Sequence, residues 1–226
     1  MKNLPSRVRY EVTLRGRSLP KYFLPDEIKA ILGAVKGMNS IRDHLILNML
    51  WQTGARVSEL LLVRPMDIDP YTKTIKIITL KQESGKKKLE DVWNEELIGK
   101  ETEPKPHKFF ERIIPLMQDD DGRCLLLDEI DIYVAKNEIA PSDVLFPIVR
   151  QRVNDMIIRV CRRAGIDRDR AHPHTFRHSF AIHLVRHRVP PYTIQQLMGH
   201  SDPSSTFVYA QVVAADARPF LEGIKW

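Results

Sequence analysis

One run of six residues, Thr74-Ile75-Lys76-Ile77-Ile78-Thr79, is rich in β-branched side chains and roughly alternating, in a chain whose other apolar residues recur mostly at helical spacing. A period near two reads as a half-buried strand, and a strand needs a partner for its backbone N–H and C=O groups. The expected partner is Arg112-Ile113-Ile114-Pro115-Leu116. About thirty residues rich in Lys, Glu and Pro (82–111) lie between the two and read as an extended β-hairpin insertion. Connections of that length are uncommon and often functional. One small antiparallel sheet set in a helical pattern makes the chain mainly α, an α+β fold with a single hairpin as its β part.

The helical pattern starts at Pro25-Asp26-Glu27, where proline suits the first turn and the acids face the positive end of the helix dipole. Ile28, Ile31, Leu32 and Val35 supply its apolar face. A second helix runs through Leu45–Leu50 and is broken at Thr53-Gly54. A third begins near Arg56, with Val57, Leu60 and Leu61 as its buried stripe. After the hairpin, helices are expected at about 124–136, 151–163, 175–187, 193–198 and 203–211, with a short one at the C-terminus. Residues 1–20 carry Lys2, Arg7, Arg9, Arg15 and Arg17 against one acid, Glu11, and read as a basic arm or linker ahead of one domain over 21–226.

The formal net charge of +6 favours a polyanionic partner, most commonly nucleic acid. Cys124 and Cys161 both sit in apolar, helix-like contexts, which reads as buried thiols in a reducing compartment rather than a disulfide. No apolar run reaches the roughly 18 residues of a membrane span, and Met1-Lys2-Asn3-Leu4-Pro5 has no signal-peptide core. The expected location is cytoplasmic, associated with the nucleoid when DNA is bound.

Six of the eight histidines fall between residues 172 and 200. His174 and Arg177 share a helix face at i and i+3, so an imidazole and a guanidinium can point at one object. His200 comes directly after Gly199, Tyr209 comes nine residues later, and Arg56 lies far upstream after a Thr-Gly turn. These types suit one reaction. A phosphodiester gains charge in its pentacoordinate transition state, and arginines meet that oxygen geometry with paired hydrogen bonds. A tyrosine needs a base or a positive field to attack at neutral pH. The departing alkoxide needs a proton from a lysine or histidine. Arginines, histidines, a lysine and a tyrosine suffice for this without a metal or another cofactor. His172-Pro173-His174 lacks the accompanying Cys or acid cluster that a metal site needs.

The segment Thr53-Gly54-Ala55-Arg56-Val57-Ser58-Glu59-Leu60 closely resembles the first signature box of the tyrosine recombinase (phage integrase) family. His174-Thr175-Phe176-Arg177-His178-Ser179-Phe180-Ala181-Ile182-His183-Leu184 resembles the second. Ile194-Gln195-Gln196-Leu197-Met198-Gly199-His200-Ser201 and Thr206-Phe207-Val208-Tyr209 resemble the family's segments downstream of that second box. The resemblance covers roughly residues 20–212 and implies a tyrosine-recombinase catalytic-domain fold. It implies Arg56 and Arg177 as a phosphate clamp and His200 as a second phosphate ligand. His174 is implied as a proton-transferring group that helps deprotonate the tyrosine, and Tyr209 as the nucleophile of a 3′-phosphotyrosine intermediate. The family's lysine maps to Lys81, with Lys86, Lys87 and Lys88 as alternatives, because the usual Gly-Lys-Gly turn is replaced here by Leu80-Lys81-Gln82-Glu83-Ser84-Gly85. Glu59 and Asp67 match acidic positions that orient the arginines or close buried ion pairs.

By the same resemblance the partner is double-stranded DNA. Two basic stretches, one of Lys86, Lys87 and Lys88 and one of Arg159, Arg162, Arg163, Arg168 and Arg170, read as phosphate contacts or as plain solvated charge. Family members act as a tetramer on two sites and often exchange a C-terminal segment; the tail over 213–226, with Phe220, Leu221, Ile224 and Trp226, suits that role or a fold back onto its own core. Family members also usually carry an N-terminal helical clamp domain. The expected activity is site-specific recombination without metal or ATP. A type IB topoisomerase, a telomere resolvase and a non-catalytic DNA-binding relative are the alternatives. His178 and His183 read as packing residues or as supports behind the site.

Overall fold

The computed structural model describes residues 20–80, 109–199 and 206–210. Helix α1 (Pro25–Gly33) opens at its proline, and the Glu27 carboxylate accepts the Leu24 amide at 2.7 Å. Ile28 and Ile31 face inward. Helix α2 (Ser40–Thr53) is the centre of the domain: Leu45, Ile46, Leu47, Met49 and Leu50 are fully buried, and even Gln52 and Thr53 are enclosed. A helix apolar on most sides must be covered on most sides, and α2 packs against helices α4 (Leu125–Asn137) and α6 (Pro173–Arg186).

After the single turn α3 (Val57–Leu60) comes a 3₁₀ turn, Pro65–Asp67, then β1 (Ile68–Asp69), β2 (Thr74–Leu80) and β3 (Phe109–Pro115). The sheet order is β1-β2-β3 and both pairings are antiparallel. Ile75 pairs with Ile114 and Ile77 with Arg112. Ile75, Ile77, Arg112 and Ile114 are buried while Ile113 is exposed, as the alternation of the pleat requires. Arg112 therefore occupies an inward position opposite an isoleucine.

The sheet is thus three-stranded where the sequence suggested a hairpin. The added strand has two residues, too short to show a period. Helix α5 spans Arg150–Arg163 and α7 spans Pro191–Met198. Both α6 and α7 begin two residues before the expected starts, because Pro173 and Pro191 stand as first helical residues, where their missing N–H has no helical partner to lose. Of the helix expected over 203–211, residues 206–210 are described and helical (α8). The basic arm, most of the hairpin insertion and the C-terminal tail lie outside the described residues. Among the described residues no helix is long and apolar enough to cross a membrane.

Two apolar clusters result. The larger joins α1, α2, the sheet, α4 and α5. The smaller contains Phe180, Ala181 and Ile182 of α6, Ile194 and Met198 of α7, and Tyr209 of α8. Cys124 and Cys161 are free, buried thiols, and burial pushes Cys161 up to about 11. The basic stretch expected to meet phosphate loses one member: Arg170 is buried and turns inward. Its Nη1 and Nη2 donate to the two Glu27 carboxylate oxygens at 2.8 and 2.6 Å, and Nη2 also to the Tyr22 carbonyl. It ties the chain ahead of α6 to α1.

Candidate active site

The first box is a turn that aims a guanidinium. Thr53 closes α2 by donating its hydroxyl to the Met49 carbonyl at 2.6 Å, and the same oxygen accepts the Ala55 amide. Gly54 comes next in the left-handed region at φ +59°, and a Cβ there would lie 2.3 Å from the Phe180 ring. Glycine is thus required both by the backbone and by the close approach of α6. The chain then extends through Arg56, whose amide and Nη1 donate to the two oxygens of Glu59, each at 2.8 Å. The Arg56 side chain remains 40% exposed.

Glu59 is a hub. Its side chain is almost fully buried and takes Arg56 Nη1 on one oxygen and Arg112 Nη2 on the other at 2.6 Å, with the Thr79 hydroxyl donating at 2.9 Å. Burial alone would raise its pKa, but the Arg112 guanidinium, followed by Arg56, holds the carboxyl down at about 2. Arg112 also donates to the Thr79 hydroxyl, and its Nε is buried with no partner among the described residues. It lies beneath Gly199, where an added Cβ would meet Nη1 at 2.9 Å and the backbone is left-handed at φ +61°. One buried arginine thereby backs both the Arg56 turn and the turn that leads into His200. Asp67, the other matched acid, pairs instead with Lys76 Nζ of β2 at 3.3 Å and accepts the Arg64 amide at 3.1 Å.

Arg177 joins the two boxes. It is buried in α6, and Nη1 donates to the Gly54 carbonyl at 2.6 Å while Nη2 donates to the Met198 carbonyl. The second contact sets a cation at the C-terminal end of α7, where the helix dipole favours it. Burial, then repulsion from Arg56, lowers its pKa to about 10, so it stays charged at neutral pH. Its planar fork has more N–H donors than these two carbonyls use.

His174 lies in the first turn of α6. The residue is exposed at the surface, but crowding by neighbouring atoms, then the positive fields of Arg177, Arg150, Arg56 and His172, pushes its pKa below the ordinary imidazole value. Tyr209 is 4% exposed. Burial raises its pKa, and the fields of Arg177 and Arg56 oppose that rise. Its hydroxyl lies 3.0 Å from His178 Nδ1. His178, expected to be a packing residue or a support, is in direct contact with the tyrosine. Burial, then His174 and Arg177, pushes it down to about 4. His183 does pack, its ring 5.1 Å from Trp51 and 4.3 Å from His187.

The structure therefore gathers Arg56, His174, Arg177 and Tyr209 into one electrostatically connected site. Lys81, Lys86, Lys87, Lys88 and His200 lie outside the described residues, although β2 ends at Leu80 and α7 at Met198, close before two of those positions. Arg159 is partly exposed and 3.5 Å from Asp43; Arg162 is exposed; Arg163 donates to the Lys36 carbonyl at 3.4 Å. Arg112 and Arg150 belong to the site's surroundings without being marked by any motif. Arg112 shares its strand parity with the inward Ile114, and that charge at an inward position was a usable signal. Arg150, the first residue of α5, adds its positive field at His174 from a different helix, which no local pattern reveals. Among the described residues no three His, Cys, Asp or Glu side chains gather as a metal site.

The model of the Phage integrase family matches residues 21–215 of the chain. A tyrosine recombinase of Pseudothermotoga lettingae is 32% identical over 87% of the chain and 58% of its own length. The crystal structure of XerA recombinase superposes with a TM-score of 0.64 at 20% identity, over 92% of this chain and 67% of that one. A XerH site-specific recombinase, solved bound to its palindromic difH substrate after cleavage, gives 0.65 at 18% identity, over 92% of this chain and 53% of that one. At these identities the structural likeness speaks for the fold. The chain spans about six-tenths of the length of the curated relatives it matches.

Proposed function

Because the chain belongs to the phage integrase family, we propose that it cleaves and rejoins double-stranded DNA at specific sites through a covalent 3′-phosphotyrosine on Tyr209. The observation that carries this reading is the Tyr209 hydroxyl lying within the fields of Arg56 and Arg177 while hydrogen-bonded to an imidazole. A buried phenol is a poor nucleophile, and two guanidinium groups oppose the effect of its burial.

Arg56 and Arg177 take the nonbridging oxygens of the scissile phosphate. Both are held from behind, Arg56 by Glu59 and Arg177 by two backbone carbonyls, so little reorganisation is needed as charge develops. Attack by Tyr209 Oη forms the tyrosine–phosphorus bond and breaks the bond to the 5′ oxygen, which takes a proton from a general acid. Lys81, next in sequence after Leu80, is assigned that role, and His200, next after Gly199, is assigned to a phosphate oxygen. His174 supplies a proton-transferring imidazole beside Arg177. Rejoining is the reverse, with a 5′-hydroxyl attacking the phosphotyrosine. The bond energy is stored in the intermediate, so the reaction calls for neither metal nor ATP.

The test is covalent trapping. The full chain is incubated with a library of nicked duplexes of randomised sequence, and denaturing electrophoresis reads the protein–DNA adduct. An adduct formed by the parent and lost in Tyr209→Phe is the expected result. An adduct that survives in Tyr209→Phe overturns the assignment. DNA binding with no adduct from the parent favours a non-catalytic DNA-binding protein.

A further inference from the structure

We infer that His178 is a catalytic residue that holds the Tyr209 hydroxyl in the resting site and accepts its proton during attack on DNA. The inference rests on the reading of Tyr209 as the nucleophile and deepens it. By resemblance the proton of the tyrosine falls to His174, yet among the described residues it is the imidazole of His178 that lies in hydrogen-bond contact with Tyr209 Oη, at 3.0 Å. The two rings lie 5.7 Å apart between centroids and are tilted by 50°. His178 is one residue beyond Arg177 on α6, so the helix that buries Arg177 also fixes the acceptor. Tyr209 is packed among Phe180, Ala181, Ile182, Ile194 and Met198, and that packing sets where its hydroxyl points.

Among the described residues, the charged groups acting on this pair are of one sign. His174 and Arg177 act on His178 from its own helix. Arg177 and, from the turn before α3, Arg56 act on Tyr209. Helix α7 brings apolar Ile194, Leu197 and Met198 to the cluster. Burial, then the positive groups around it, keeps the free imidazole neutral and therefore able to accept; the inference assigns the ring proton to Nε2, which leaves Nδ1 to take the phenol hydrogen bond. A bound phosphodiester adds negative charge beside the pair and makes the imidazole a stronger base at the moment of attack. In the step itself the phenol O–H bond breaks, its proton moves to Nδ1, the Tyr209 Oη–phosphorus bond forms and the phosphorus–O5′ bond breaks. The imidazolium returns the proton when the 5′-hydroxyl displaces the tyrosine.

The experiment measures single-turnover adduct formation from about pH 5 to about pH 9 by the full chain, His178→Asn and Tyr209→Phe. The substrate is a nicked duplex selected from the random library that carries a 5′-bridging phosphorothiolate. A thiolate leaves without a proton, so the rate reports the tyrosine side alone. Asparagine keeps a hydrogen-bonding group near the Nδ1 position but does not titrate. The parent is expected to show a rate that is flat from about pH 6 upward, because its acceptor is already neutral there. His178→Asn is expected to be slower by about 10²–10⁴-fold at neutral pH, the usual span for a general base, and to gain about tenfold per pH unit as hydroxide replaces the missing base. Thermal melting within a few degrees of the parent accompanies that result. A His178→Asn rate within about threefold of the parent overturns the inference, as does a loss that is equal at every pH. Both of those outcomes leave the Tyr209 reading intact if Tyr209→Phe makes no adduct. An adduct from Tyr209→Phe overturns the reading and the inference together.

Discussion

The two poles of the site are built differently. The arginine pole rests on the larger core. Arg56, Glu59, Arg112 and Thr79 form one network between α3 and the sheet, and Arg177 is pinned to two backbone carbonyls. The tyrosine pole rests on the smaller cluster, where a short helical stretch, 206–210, lays Tyr209 against α6 and α7. Charge that must wait for a phosphate needs a rigid frame, because every ångström of motion weakens preorganised electrostatics. In the proposed reaction Tyr209 contributes one hydroxyl to a small apolar cluster, so the fold leans little on that hydroxyl. The difference predicts that damage at the arginine pole lowers stability and activity together, whereas damage at the tyrosine pole separates them.

The largest stability effect is expected at the hub. Glu59→Ala leaves Arg112 buried without its carboxylate, a loss of about 3–5 kcal/mol, read as a fall in the urea midpoint together with loss of adduct formation. A variant of unchanged stability would break the claim that the hub frames the clamp. The same hub sets an acid limb. The folded pKa of Glu59, about 2, lies below its usual 4.5, so its contribution is fully present above 4.5 and fades as pH falls toward 2. That contribution is about 3 kcal/mol by linkage, and Glu59→Gln should flatten this part of the stability–pH curve.

Gly54→Ala comes next. The left-handed backbone and the 2.3 Å approach of Phe180 must both be relieved, at about 1–3 kcal/mol. Calorimetry checks the loss, and because Gly54 also carries the carbonyl held by Arg177, adduct formation should fall with it. Tyr209→Phe sits on the other side of the comparison: it removes the neutral hydrogen bond to His178 and keeps the ring in its apolar cluster, so stability should change by about 1 kcal/mol while activity disappears. The smallest effect belongs to Arg162→Ala on the exposed face of α5. Folding stability should stay within about 0.5 kcal/mol, and if the side chain meets phosphate, the slope of log affinity against log salt should drop by about one.

How much of this the sequence showed depends on the distance over which each feature is encoded. The helix broken at Thr53-Gly54, the strand at Thr74 and its partner at Arg112 are written in local periodicity and turn chemistry. Spacing and family resemblance led to Arg56, His174, Arg177 and Tyr209, which the fold draws together. The partners behind them were hidden. Glu59 was visible as an i+3 partner of Arg56, but Arg112 reaches it across 53 residues through a strand pairing. Arg170 looked like one more surface charge until the fold of the 3₁₀ turn Arg168–Arg170 set it on Glu27, 143 residues away. His178 read as packing because its contact depends on where α8 lands, which no pattern within α6 encodes. Spacing and resemblance pointed to the candidate residues, and tertiary pairing decided which side chains contact them.

The most direct test of the account is to find where the DNA is attached. The trapped adduct is digested with nuclease and protease, and fragmentation mass spectrometry locates the residual nucleotide. The account predicts a phosphodiester on Tyr209 and on no other residue. Attachment at any other tyrosine, or at a serine, histidine or lysine, would contradict it.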